Sequence, residues 1–163
     1  TLGRFASDDG GTVQGVVFID GSEGASVQIA TCCRPIPGDA LVGYLGRGEG
    51  LVVHTHDCHV GRRLFERDSE RWMQVEWAEE LTRAFEAAIM VLVHNGKGVL
   101  AQVASAISTA EADITHLDMG ADRPAESAEL KLLVSVRDRL HLADVLRTLR
   151  RSASVLRVWR IKP

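Results

Sequence analysis

Three cysteines are too few, and odd in number, to staple a small fold with disulfides, so the 163-residue chain is expected in a reducing compartment, the cytoplasm by default. No stretch approaches the roughly 20 consecutive apolar residues that a membrane span needs, and the first residues lack a secretory signal's basic-then-apolar pattern. Neither membrane nor export is therefore expected. An excess of basic residues is also missing. Lys and Arg number 19 against 22 Asp and Glu, a formal net charge of −3, which is not the balance of a dedicated nucleic-acid binder. The arginines that do cluster, at Arg62, Arg63, Arg67 and Arg71 and again from Arg137 to Arg160, are expected on solvated helix faces. The length holds one ordinary domain or two small ones, and a domain of about 60 residues is marginal unless something such as a metal supports it.

The few thiols lie close together. Cys32, Cys33 and Cys58 share a span of fewer than thirty residues with three of the six histidines, His54, His56 and His59. Pro35 and Pro37 fix φ on both sides of Ile36 and remove two backbone donors, which makes the segment after the cysteines a stiff turn that Gly38 reverses. Three readings stand open. Cys32, Cys33, His54 and Cys58 have the donor types of a closed structural zinc site, with His54 and Cys58 four apart and on one face if that stretch is helical. Cys32 and Cys33 would point to opposite sides of a strand, so a shared metal requires the backbone to bend there. Alternatively the cluster is a Cys/His nucleophilic site, or the cysteines are small buried apolar groups with His56 and His59 on a solvated turn.

The string Cys32-Cys33-Arg34-Pro35-Ile36-Pro37-Gly38-Asp39, followed by Gly46-Arg47-Gly48-Glu49-Gly50-Leu51-Val52-Val53-His54 and then Asp57-Cys58, resembles the conserved-cysteine module of the long RelA/SpoT proteins, which make and degrade (p)ppGpp. In that family the module is also called the zinc-finger or ribosome-intersubunit (RIS) domain, and an ACT domain follows it. Arg137 to Ala143 resembles the bifunctional SpoT branch in particular. The resemblance implies zinc on Cys32, Cys33, His54 and Cys58, contact with ribosomal RNA, and catalytic domains upstream of residue 1.

Periodicity and turn residues predict an α+β chain: a flexible lead over 1–12, a β-rich module with one short helix over 13–78, and a ferredoxin-like βαββαβ domain over 82–163. In the module, strands are expected at 13–19 and 25–30 around an Asp20-Gly21-Ser22 turn. Leu41 to Leu45 and Leu51 to His54 form a hairpin about a Gly-rich loop whose glycines serve turn geometry, not nucleotide binding. A helix from Asp57 to Arg67, capped by Asp57, and a strand over 72–77 complete it.

In the second half, Phe85, Ala87, Ile89, Val91 and Val93 alternate along a central strand, with Met90 and Leu92 partly apolar on its other face. A helix follows with Val99, Leu100, Val103, Ala104 and Ile107 on one stripe. The next strand, Ile114 to Met119, changes phase and predicts a bulge. Arg123-Pro124 marks a turn before a strand over 130–136, a helix capped by Asp138 that buries Leu142, Val145, Leu146 and Leu149, and a last strand over 155–161.

The turn Asn95-Gly96-Lys97-Gly98-Val99-Leu100 places free N–H groups at a helix start, where a carboxylate is favoured. ACT domains, which this half resembles, hold small effectors at this corner between paired subunits. A branched-chain amino acid bound by Asn95, Gly96, Gly98, Val99 and Leu100, with Ile114 as a further apolar wall, is the expected ligand. Asn95 and Gly96 depart from the family's acidic-then-basic pair. Pairing of the second half with a copy of itself is expected from the apolar second sheet face and an available edge. No catalytic set is found, so the chain is expected to regulate upstream catalytic domains. The rivals are the regulatory tail of an amino-acid biosynthetic enzyme and a stand-alone thiol or metal enzyme.

Overall fold

The computed structural model describes residues 15–119 and 126–162, so the expected lead over 1–12 and the Arg123-Pro124 turn lie outside the described residues. The chain divides into two compact units, 1–83 with 162–163, and 84–161. No helix among the described residues is long and apolar enough to cross a membrane.

The first unit is built on a five-stranded mixed sheet. Its strands are β1 (Val16–Ile19), β2 (Val27–Ile29), β3 (Leu41–Gly46), β4 (Gly50–Thr55) and β5 (Trp72–Trp77), in the order β1-β5-β3-β4-β2. β3 and β4 form the expected hairpin, while β1 runs parallel to β5 and β2 parallel to β4. Alternation sends Val17, Ile19, Leu41, Leu51, Val53 and Val75 to one face, where they form the core with Val27. The opposite face carries Val42, Tyr44 and His54 beneath α1 (His59–Arg67). Gly61 of α1 sits so close to His54 and Trp72 that an added Cβ would lie 3.4 Å from each.

Helix α1 begins two residues later than its apolar spacing predicts. Its N-cap is Cys58, which makes no capping bond through its side chain, so the expected cap Asp57 stands outside the helix. The reason is the turn before it, where the Cys58 N–H donates to the Thr55 carbonyl at 3.1 Å.

The second unit is a four-stranded antiparallel sheet of β6 (Phe85–His94), β7 (Asp113–Asp118), β8 (Ser127–Val136) and β9 (Val155–Arg160), ordered β7-β8-β6-β9. Helices α2 (Val99–Thr109) and α3 (Arg139–Arg150) complete the βαββαβ succession. Phe85, Ala87, Ile89, Val91 and Val93 of β6 and Leu130, Leu132, Val134 and Val136 of β8 are buried with Val103, Ile107, Leu142, Val145 and Leu149 of the helices. The stripe on α2 is narrower than expected: the i, i+4 pair Val103 and Ile107 is fully buried, whereas Leu100 is 39% exposed and Ala104 faces solvent. The predicted bulge is present, as a register shift between Ile114 and His116. Asp138 caps α3 as expected, accepting from the His141 N–H at 2.8 Å.

Candidate metal centre and effector loop

A local bend settles how two neighbouring cysteines share one site. The Arg34 N–H donates to the Ala30 carbonyl at 3.0 Å, closing one helical turn around Thr31, Cys32 and Cys33, and Arg34 leaves it with φ of 45°. In such a turn successive side chains diverge by about 100° instead of the strand's 180°, so both thiols reach the same point. Asp39 holds the following Pro-Ile-Pro turn. Its carboxylate accepts from the Ile36 N–H at 2.9 Å, its own N–H donates to the Ile36 carbonyl at 3.0 Å, and Gly38 takes φ of 100° between them. The Trp77 indole N–H donates to the Asp39 carbonyl at 3.1 Å, which ties the turn to β5.

His54 arrives from β4 and Cys58 from the N-cap of α1, so the pair meets through a turn and not on one helix face. The donor atoms of Cys32, Cys33, His54 and Cys58 all lie within 4.8 Å of one another. Cys32 Sγ is 3.4 Å from His54 Nδ1, 3.7 Å from Cys58 Sγ and 3.9 Å from Cys33 Sγ, and Cys33 Sγ is 3.8 Å from His54 Nδ1. A tetrahedron with metal–sulfur bonds of about 2.3 Å has edges of about 3.8 Å, so the four donors fit a closed tetrahedral metal site. The Thr55 N–H, which the sequence did not single out, points at Cys33 Sγ from 3.3 Å and favours its thiolate.

Burial pushes the Cys33 thiol up to about 12 despite that N–H. Burial, with the neighbouring Cys58, also raises Cys32, and burial lowers His54. Without a metal the site therefore favours neutral thiols and a neutral imidazole. A cation bound there displaces protons from the sulfurs. His56 and His59 are exposed and take no part.

The structure brings together only some of the residues expected to hold an effector. Asn95, Gly96 and Gly98 lie on the exposed connection from β6 to α2, with Gly98 as N-cap at φ of 75°, and Val99 and Leu100 open the helix. The Asn95 N–H is already engaged, donating to the Glu126 carbonyl at 2.9 Å. Ile114 is not at this corner in one chain. Its partner Val134 pairs in turn with Ala87, seven positions before His94, or roughly 23 Å along the strand. Sequence order hid this, since α2 carries the chain back across the sheet before β7 begins.

Residues 17–78 match the RelA/SpoT RIS domain and residues 81–160 an ACT domain. The chain is 36% identical over 143 residues to the bifunctional (p)ppGpp synthase/hydrolase SpoT of Escherichia coli K12, covering 87% of this chain and 20% of that protein. It belongs to the RelA/SpoT family. A GTP pyrophosphokinase of Streptomyces coelicolor is 33% identical over 147 residues, 89% of this chain and 17% of that protein. The ACT domain from a Chlorobium tepidum GTP pyrophosphokinase overlays on 48% of this chain and 99% of its own, at 20% identity and a TM-score of 0.42. The chain thus spans about a fifth of its RelA/SpoT relatives, and the part matched is their RIS and ACT region. The RIS match contains all four residues of the candidate metal centre, and the ACT match contains the candidate effector loop.

Proposed function

We propose that this chain is the regulatory C-terminal region of a bifunctional (p)ppGpp synthetase/hydrolase, a cytoplasmic enzyme whose GTP/GDP pyrophosphokinase and 3'-pyrophosphohydrolase sites lie in upstream domains. The observation that carries this reading is the succession of a RIS and an ACT domain within one stretch 36% identical to a bifunctional relative. A RIS domain at 17–78 also disfavours the regulatory tail of an amino-acid biosynthetic enzyme. The test uses the full-length protein. Replacing Cys33 or Gly98 should shift the ratio of synthesis to hydrolysis while both activities persist, and an unchanged ratio in both variants would refute a regulatory role.

Within this reading zinc is the metal of the first module, held by Cys32, Cys33, His54 and Cys58. A zinc held there would cross-link β4, α1 and the cysteine turn and would supply no reactivity, because four protein donors make a closed set. Metal analysis of protein purified without added zinc checks this, with about one zinc per chain expected.

The ACT unit supplies pairing and ligand sensing. Its sheet face away from the helices carries Ala88, Met90, Leu92, Leu133 and Trp159 interleaved with Glu129, Lys131 and Arg157, a mixed surface that a second copy would cover. A branched-chain amino acid would place its carboxylate at the start of α2 beside Asn95, Gly96 and Gly98, with Val99 and Leu100 at its side chain, and Ile114 would join only from the partner's β7. Calorimetry with valine, leucine and isoleucine at millimolar concentration should give heat, and light scattering should give a dimer mass. The ribosome is the second proposed input, for which the exposed Arg62, Arg63 and Arg67 of α1 are the basic surface.

A further inference from the structure

We infer that Cys32 and Cys58 are a thiol oxidation site: a hydroperoxide joins them as a disulfide and so removes two of the four donors from the metal centre. Loss of metal on oxidation rests on the zinc reading above, whereas the disulfide itself does not. Cys32 is the exposed member of the cluster, while Cys33, His54 and Cys58 are buried. An oxidant arriving from solvent meets the Cys32 sulfur first.

Two sulfurs stand near enough to resolve it, Cys58 at 3.7 Å and Cys33 at 3.9 Å, and the backbone decides between them. Cys32 and Cys33 are consecutive across a trans peptide, which holds their Cα atoms about 3.8 Å apart. An unstrained disulfide spans Cα atoms roughly 4.4–6.8 Å apart, so a bond between neighbours would have to distort the turn that Arg34 N–H and Ala30 O close. Cys58 comes from a different element, the N-cap of α1, and is free of that constraint. Joining it to Cys32 asks the sulfurs to approach by under about 2 Å, to a bond of about 2.05 Å.

The step balances with the hydroperoxide as sole co-reactant. The Cys32 sulfur attacks a peroxide oxygen, the O–O bond breaks, and water leaves from hydrogen peroxide to give a sulfenic acid. The Cys58 sulfur then attacks the Cys32 sulfur, the S–O bond breaks and a second water leaves. Two thiols have lost two protons and two electrons, and the peroxide has been reduced to two waters. Cys33 and His54 alone are two donors, too few to close a structural site. Reduction by a dithiol returns both thiols.

The experiment begins by measuring zinc in the purified 163-residue chain. One equivalent of hydrogen peroxide is then added and followed by intact mass, alkylation with peptide mapping, and a chromophoric chelator for released zinc. Expected are a loss of two hydrogens, a peptide linking Cys32 to Cys58, alkylation confined to Cys33, one zinc released per disulfide, and full reversal by dithiothreitol. Cys33→Ser should still form the link, and if that variant does not fold the wild-type map decides alone. A Cys32–Cys33 link, an intermolecular link, or Cys32 sulfinic acid without any link would overturn the inference. So would zinc that stays bound after the disulfide forms. If the protein holds no zinc at the outset, the metal reading fails, and the same peptide map on that protein still decides the disulfide.

Discussion

Gly50 opens β4 with φ of 77°, and a Cβ there would lie 2.6 Å from the Ser26 carbonyl oxygen. Gly48, two residues earlier in the same hairpin loop, has φ of 84° and open space around it. The two glycines look alike in sequence, yet only one is held by both conformation and contact. Gly48→Ala should cost about 1 kcal/mol, the left-handed penalty alone. Gly50→Ala meets backbone that cannot swing aside and should cost clearly more, about 2–3 kcal/mol. Urea unfolding of the two variants compares them, and equal losses would show that the contact with Ser26 carries no weight. At this scale the chemistry of the site was legible and its geometry was not. Cys32, Cys33, His54 and Cys58 stand out by donor type, whereas the one-turn bend through Arg34 and the Thr55 N–H on Cys33 are backbone facts that no side-chain pattern announces.

At the scale of elements, the two helix starts that sequence assigned to aspartates diverge. Asp138 accepts from the His141 N–H at 2.8 Å, so Asp138→Ala should cost about 1 kcal/mol. Asp57 lies outside α1, so Asp57→Ala should leave stability within about 0.5 kcal/mol of wild type. Thermal unfolding of both checks the pair. The difference arises because Cys58 must face the cluster, which fixes the turn from Thr55 and delays the helix, an effect that apolar spacing at Val60 and Leu64 does not record. Alternation gave β6 and β8, and the phase change gave the bulge in β7, since period-two patterns survive burial. The parallel pairings of β1 with β5 and β2 with β4 join residues far apart in sequence, and local pattern carries no information on them.

The pH response of the first module should depend on whether the four donors hold an ion. With zinc bound, acid restores protons to the sulfurs and to His54, so affinity and stability should fall as pH is lowered. Without it, Cys33 has a folded-state value pushed up to about 12, above the roughly 8.5 of an unfolded thiol. A raised group stabilises the fold below its unfolded value and loses that contribution as pH rises, so the metal-free module should weaken from about pH 8.5 upward. Melting curves across pH with and without a chelator test this, and a pH profile indifferent to the chelator would exclude a metal as a structural element.

For the whole molecule, one chain of 163 residues carries two compact units, and their sources of stability differ. The ACT unit has a continuous apolar core from both central strands and both helices, with Ile89, Leu132, Val134, Val145 and Leu149 fully buried. The RIS unit rests on a smaller apolar cluster around Val17, Ile19, Val53 and Val75, and its cysteine turn, β4 and α1 come together at the four donors. Metal affinity at such a site is folding free energy for the unit that holds it and for no other. Calorimetry of the chain should therefore show two transitions. A strong chelator should lower or abolish the one belonging to the first unit and leave the other in place. Isoleucine should act on the opposite transition, raising the second by mass action if the effector loop binds it. Cys58→Ser should reproduce the chelator's effect without any chelator, because three remaining donors cannot close the site. A single transition that neither chelator nor Cys58→Ser moves would mean that the four donors meet without a metal and that the apolar cluster alone holds the first unit.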